Sequence, residues 1–243
     1  MTLTLARPIL TAALSAIVAG SLFATPATAA DRNFGVSGFD RVRVDGPFAV
    51  TLTTNVAPYA KAHGSATALD ALDVRVDGRT LIIRANRSNW GGNPDKPAGP
   101  VTISVGTHEL EQAALNGAGT LAISRARGLN FLLLVGGSGS ASLVDAEVDQ
   151  LRVSVIGSGS AKVAGRAKIF SGVMQGAGAL DAAALKAKDA TLSAEGPATI
   201  RAYVSNSAKI VATGTATVTI EGGASCIAKV VGSASVNGCR PAK

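Results

Sequence analysis

Groups able to do chemistry are sparse in this chain and mostly isolated from one another. His63 and His108 are the only imidazoles, and a Ser-His-Asp site built on either would need a nucleophilic serine on a strand-to-helix elbow. No Gly-x-Ser-x-Gly run occurs, and His108 beside Glu109 and Glu111 reads as a solvated loop residue. Gly-x-Gly turns recur, but a calcium-binding solenoid needs an aspartate two residues after the second glycine to supply oxygen ligands. Leu121, Ala141, Ala161 and Leu180 stand there instead. No glycine-rich run ends in Gly-Lys-Ser/Thr, so a phosphate-binding loop is missing too. Asp145, Glu147 and Asp149 form the one acidic run that could serve glycoside chemistry, which also wants aromatic platforms such as Trp90, Tyr59 or Tyr203. Flanking segments offer Arg125 and Arg127, then Arg166 and Lys168. Opposite charges on adjacent strands predict a salt-bridged corner rather than a catalytic centre. No catalytic, cofactor-binding or metal-ligating residue is assigned, and no cofactor is expected.

The element that must position everything is a repeat. Seven segments share one pattern: NGAGTLAI, GGSGSASL, IGSGSAKV, QGAGALDA, EGPATIRA, TGTATVTI and VGSASVNG. Their leading glycines are Gly117, Gly137, Gly157, Gly176, Gly196, Gly214 and Gly232, at intervals of 20, 20, 19, 20, 18 and 18 residues. A fixed period of this length is the signature of a solenoid.

Alternation around each glycine identifies strand and face. Residues two, four and six before it are apolar or small, as in Phe131, Leu133, Val135 and in Leu151, Val153, Val155; the last triplet is Cys226, Ala228, Val230. That parity faces inward. The opposite parity after each glycine holds Thr120, Ser140, Ser142, Ser160, Lys162, Thr199, Arg201, Thr217, Thr219, Ser235 and Asn237, which water solvates. Two residues after each leading glycine stands only Gly or Ala, from Gly119 to Ala234, predicting a corner where opposite walls approach closely. The expectation is a right-handed parallel β-helix of about seven short coils, each a pair of short strands meeting at a corner.

Residues 1–30 carry one basic residue, Arg7, an apolar stretch from Ile9 to Phe23 and the small-residue run Ala27-Thr28-Ala29. This is the pattern of a secretory signal peptide, and no later stretch is apolar and long enough to span a bilayer. Residues 31–243 then form a single solenoid domain, irregular over 34–114 and regular over 115–239. Arg7 accounts for one unit of the formal +7, leaving +6. Lys and Arg are scattered one or two per coil, which together with export argues against nucleic acid. Export into an oxidising compartment also favours a disulfide between Cys226 and Cys239 over a metal pair, since neither histidine is near in sequence. The tail would then have to fold across the open end of the solenoid.

Residues 34–114 prepare for the repeat. In FDRVRVDGPFAVTL (Phe39–Leu52), Gly46 takes the leading-glycine position with Val42, Val44, Val50 and Leu52 inside, while Phe48 fills the small-residue position. A large residue there predicts a capping coil with nothing stacked above it. Leu72–Val76 and Thr80–Ile83 around Asp77-Gly78-Arg79 read as a hairpin, residues 88–100 as a loop, and Val101–Val105 as a returning strand. With the Phe39–Leu52 motif, the hairpin, the lead-in at Leu110 and Gly-x-Gly coils ending at Asn237-Gly238-Cys239, the chain from Phe34 onward resembles the auto-transporter adhesin family with the head GIN domain. The resemblance implies a β-solenoid and an envelope location, and supplies no catalytic residues.

Two classes of function remain. The first is an exported interaction module in the periplasm or outer envelope, without turnover, binding a glycan, an envelope protein or itself through the flat Ser/Thr-rich wall. The alternatives are a polysaccharide-active β-helix enzyme, for which a concave site would have to gather acidic residues with Trp90, Tyr59 or Tyr203, or a purely structural periplasmic role.

Overall fold

The computed structural model describes residues 29–86 and 99–241. Residues 1–28 of the expected signal peptide, and most of the 88–100 loop with Trp90, lie outside them.

The period becomes a stack of about 6 turns, three-quarters strand. Strands β9 (Thr120–Gly137), β10 (Ser140–Gly157), β11 (Ser160–Gly176), β12 (Ala179–Glu195) and β13 (Thr199–Gly214) each run from just past one glycine corner to the next leading glycine or the residue before it. They pair in parallel, so a residue's neighbour is its counterpart one coil away: Leu121, Ala141, Ala161, Leu180 and Ile200 form one column and Leu133, Val153, Gly172, Leu192 and Ile210 another. All are buried, which follows from alternation, because matching inward positions on successive strands must stack. At Gly172 an added Cβ would lie 2.9 Å from both Leu180 and Leu192 and 3.2 Å from the Phe170 ring, so the glycine makes room for its neighbours.

Two expectations change. Each coil is one long bent strand, not a pair, with register shifts at the bend between Leu143 and Ala146, Lys162 and Gly165, and Ala182 and Lys186. The small column also has a different cause from the one expected. A Cβ at Gly159 would meet the carbonyl oxygen of Gly139 at 2.5 Å, and one at Gly178 that of Gly159 at 2.1 Å. Backbone stacked on backbone therefore excludes a side chain, joined by the core side chains of Leu115 at Gly139 and Met174 at Gly178.

The N-terminal end is not closed where Phe48 suggested. β2 (Arg41–Asp45) and β3 (Ala49–Thr54) are sandwiched. On their inner side lie β8 (Gln112–Gly117) and β9; on their outer side lie β6 (Thr80–Ala85) and β7 (Thr102–Thr107). Phe48 is tolerated because its ring lies over Gly46, where a Cβ would sit 2.8 Å from it. The cap is the outer layer. There β5 (Leu72–Asp77) pairs antiparallel with β6, β4 (Tyr59–Ser65) with β7, and β1 (Ala29–Phe34) with β4, so Ala29 and Ala30 of the expected leader are the first residues of β1. A short helix, α1 (Ala66–Asp70), is N-capped by Ser65, whose Oγ accepts from the Ala68 amide at 3.2 Å, and it buries Ala68 and Leu69. The Phe39–Leu52 motif ties this layer down. The Arg79 guanidinium of the hairpin pairs with Asp40, and Thr107 donates its hydroxyl to the Phe39 carbonyl at 2.7 Å.

The opposite end stays open. β14 (Thr217–Glu221), β15 (Ser225–Gly232), β16 (Ser235–Asn237) and β17 (Arg240–Pro241) continue the stack, but the seventh repeat makes only the three-residue β16 and closes no further full turn. Cys226 and Cys239 are joined, with Cα atoms 5.5 Å apart. β17 returns only alongside Ser225 and Cys226. The inward-facing Ala228 and Val230 are therefore exposed, Val230 by 45%; the tail does not fold across the end.

Candidate functional site

Parallel register converts one residue per coil into a row. Ser140, Ser160, Ala179, Thr199, Thr217 and Ser235 are successive neighbours, and beside them run Ser142, Lys162, Asp181, Arg201, Thr219 and Asn237. Their strands rise almost without a bulge here, so the hydroxyls and charges share one wall at a repeat of about 4.8 Å.

The bend after this wall carries the charges. Buried Ala126, Ala146, Ala167 and Ala187 anchor it, and the alternate positions point outward. Arg125 pairs with Asp145 at 2.7 Å, Glu147 with both Arg127 and Arg166 at 2.6 Å, and Lys168 with Asp149 at 2.8 Å, as the sequence implied. The next coil departs from this alternation. Lys186 and Lys188 follow Arg166 and Lys168 with no acidic strand between, and the coil after them presents Tyr203, the direct neighbour of Lys186. The bases are thus not scattered. A spacing of about one coil, which looks dispersed along the chain, is adjacency in the stack. Asp189 at the edge of this group accepts from Ser207 at 2.6 Å and Asn206 at 2.7 Å. Those hydrogen bonds, helped by the charge of Lys188, hold its carboxyl below the usual range.

An open depression of ≈ 490 Å³ lies over these coils, lined among others by Arg166, Lys168, Lys186, Lys188 and Tyr203. A larger concavity of ≈ 650 Å³ lies nearer the N-terminal end, between Arg41, Glu111, Arg127, Gln150 and Arg152. Its Glu111 carboxylate lies 3.7 Å from Arg41 and 3.6 Å from Arg79. Tyr203 is therefore grouped with bases, and Glu111, Glu147 and Asp149 each face a cation. Tyr59 lines neither.

The histidines stand apart. His63 on β4 places Nδ1 2.7 Å from Asp31 on β1, and Lys61 reaches the same carboxylate at 2.9 Å. The hydrogen bonds from His63 and then Lys61 lower the Asp31 pKa. This exposed trio fastens the edge strand β1, which sequence reading missed because Ala29–Phe34 has no alternation strong enough to mark it. His108 is exposed, and its depression is shared with Arg125 and Arg127. Among the described residues no three His, Cys, Asp or Glu side chains gather as a metal site, and no helix is long and apolar enough to cross a membrane.

A stacked β-solenoid with a hydroxyl wall, a charged bend and a closed N-terminal end is the class of protein defined by this geometry. The chain belongs to the family described as "Putative auto-transporter adhesin, head GIN domain", whose profile matches residues 38–224. The matched span includes the cap apart from β1, the bend and all but the last rungs. A crystal structure of a putative adhesin from Bacteroides fragilis is similar at a TM-score of 0.75 and 16% identity, over 86% of this chain and 95% of that one. A putative lipid binding protein from Parabacteroides distasonis gives 0.69 and 20%, over 87% and 97%. A putative adhesin from the same species gives 0.61 and 14%, also over 87% and 97%. At these identities the likeness is one of fold. No curated protein matches the chain.

Proposed function

We propose that the chain is an exported envelope module that binds a glycan or an envelope protein without turnover, through the wall bearing Ser140, Ser142, Ser160, Lys162, Thr199, Arg201, Thr217 and Thr219. The observation that carries this reading is the unbroken register of those residues over successive strands. A flat array of hydroxyls buries little apolar surface, so one contact is weak and useful affinity comes from display of many copies. The pairing of Glu111, Glu147 and Asp149 with cations in the two concavities supports binding over hydrolysis. Membership of an adhesin-like family supports an external partner, and the leader-like residues 1–30 support export to the periplasm or outer envelope. The test is paired. Monomer incubated with polysaccharides should release no new reducing ends or unsaturated products, while protein clustered on beads should retain an envelope component that monomer does not. Turnover abolished by substituting a single acidic residue would overturn the reading in favour of an enzyme.

A further inference from the structure

The charged bend offers a second surface, different in chemistry from the hydroxyl wall. Its first coils are neutralised in place, since Glu147 lies between Arg127 and Arg166 and Asp149 holds Lys168. The following coil breaks the alternation. Lys186 and Lys188 are exposed, and among the described residues no carboxylate comes within ion-pair distance of either. Asp189, next to Lys188, already takes hydrogen bonds from Asn206 and Ser207. The depression over them thus has four bases against two engaged acids, and the half-buried Tyr203 ring forms part of its floor.

We propose that this depression is a binding site for an acidic polysaccharide of the uronate type, with Lys186 and Lys188 meeting its carboxylates and Tyr203 meeting the face of a sugar ring. The inference rests on the chain being a binding module, and not on the hydroxyl wall. Three observations select this ligand. Uncompensated positive charge calls for an anion. Lys186 and Lys188 stand two residues apart on one strand, about 7 Å along it, with Arg166 the rung neighbour of Lys186, so their flexible ammonium groups reach carboxylates on adjacent sugars of a linear chain that crosses the coil. An amphipathic aromatic beside the cations suits an apolar sugar face. An anionic membrane fits less well, because the apolar residues lining the depression, Val148, Ala167 and Ala187, are all buried and leave nothing to insert.

The experiment measures retention of the full mature chain, clustered on beads, by polygalacturonate, by neutral dextran of matched length and by vesicles containing phosphatidylglycerol. The variant is Lys186→Gln with Lys188→Gln. The control is Lys209→Gln with Lys229→Gln, the same loss of charge at exposed positions on the remaining wall. All four lysines are exposed, so circular dichroism should show every variant folded. Expected are binding of polygalacturonate over dextran, a loss of about tenfold in the Lys186/Lys188 variant from two exposed charge contacts, and little change in the control. Tyr203→Leu should weaken binding by a smaller factor. Equal losses in both lysine pairs would overturn the site in favour of net charge alone. Binding of vesicles without polygalacturonate would overturn it in favour of a membrane. Absence of polygalacturonate binding would also overturn it. Dextran bound as tightly as polygalacturonate would reject the basic site while leaving the hydroxyl wall standing.

Discussion

Two corners of the same coil obey opposite rules. At the glycine corner every leading position from Gly117 to Gly232 has positive φ, and at Gly119, Gly139, Gly159 and Gly178 two residues on, a carbonyl oxygen of the neighbouring rung lies where a side chain would be. At the charged bend the same five strands present Arg127, Glu147, Arg166, Lys186 and Tyr203 in succession, with register shifts that absorb the irregularity. The first corner is limited by backbone meeting backbone and holds nothing larger than alanine. The second faces water, so its residues are constrained only by their neighbours' charge. A coil can therefore hold its stacking at one corner and vary its surface at the other, a division of labour that suits a scaffold for binding.

The largest expected effect breaks the first corner. Gly159→Val should destabilise the chain by roughly 1–3 kcal/mol or more through overpacking, read as a lowered midpoint in thermal or urea unfolding. Ser160→Val, one residue away on the outer wall, should leave that midpoint nearly unchanged. The terminal rung, packed on one side only, should come next. Reducing Cys226–Cys239 opens a loop with a sequence separation of 13 residues, at about 2–3 kcal/mol in the chain-entropy model. A smaller loss would show that the rung frays even when tied, as the exposure of Val230 suggests.

The glycine corner was legible in the sequence because its cause is local and periodic. A position that tolerates only Gly or Ala repeats as a column of letters, and the alternation around it gave the inward residues from Leu121 to Ile220 without a structure. The charged bend was half legible. Arg125 with Asp145 and Arg166 with Glu147 could be paired from sequence spacing, whereas Lys186 and Lys188, also about one coil from Arg166 and Lys168, look dispersed when bases are counted along the chain and become a cluster only in the stack. The cap was read least well. β6 and β7 stack outside β2 and β3 although they follow them in the chain, so the layering is not in sequence order. No local pattern around Phe48 encodes that return.

Smaller effects sharpen the second corner. Glu147→Gln removes a partner of both Arg127 and Arg166, yet these guanidiniums are well exposed, so the stability loss in a melting experiment should stay below about 1 kcal/mol and shrink further in salt. Smallest is the acid response of Asp189. Its folded pKa lies below the ordinary 3.8, so its contribution is fully present at neutral pH and is lost only as pH falls through the depressed value. Amide protection factors around Asn206 and Ser207, corrected for intrinsic exchange, should fall in that acid range and be unchanged between pH 5 and 8. Asp189→Asn should remove the step.

The most direct test of the stacked account is a distance. Nitroxide labels on Ser140→Cys and Ser160→Cys, 20 residues apart in sequence and adjacent on neighbouring rungs, should couple strongly at a rung spacing of about 4.8 Å, with Cys226 and Cys239 kept paired. Labels on Ser140→Cys and Thr199→Cys, on the same wall but three rungs apart, should couple far more weakly at about 14 Å. Equal coupling in the two pairs, or weaker coupling between Ser140 and Ser160, would contradict the register on which both proposed surfaces depend.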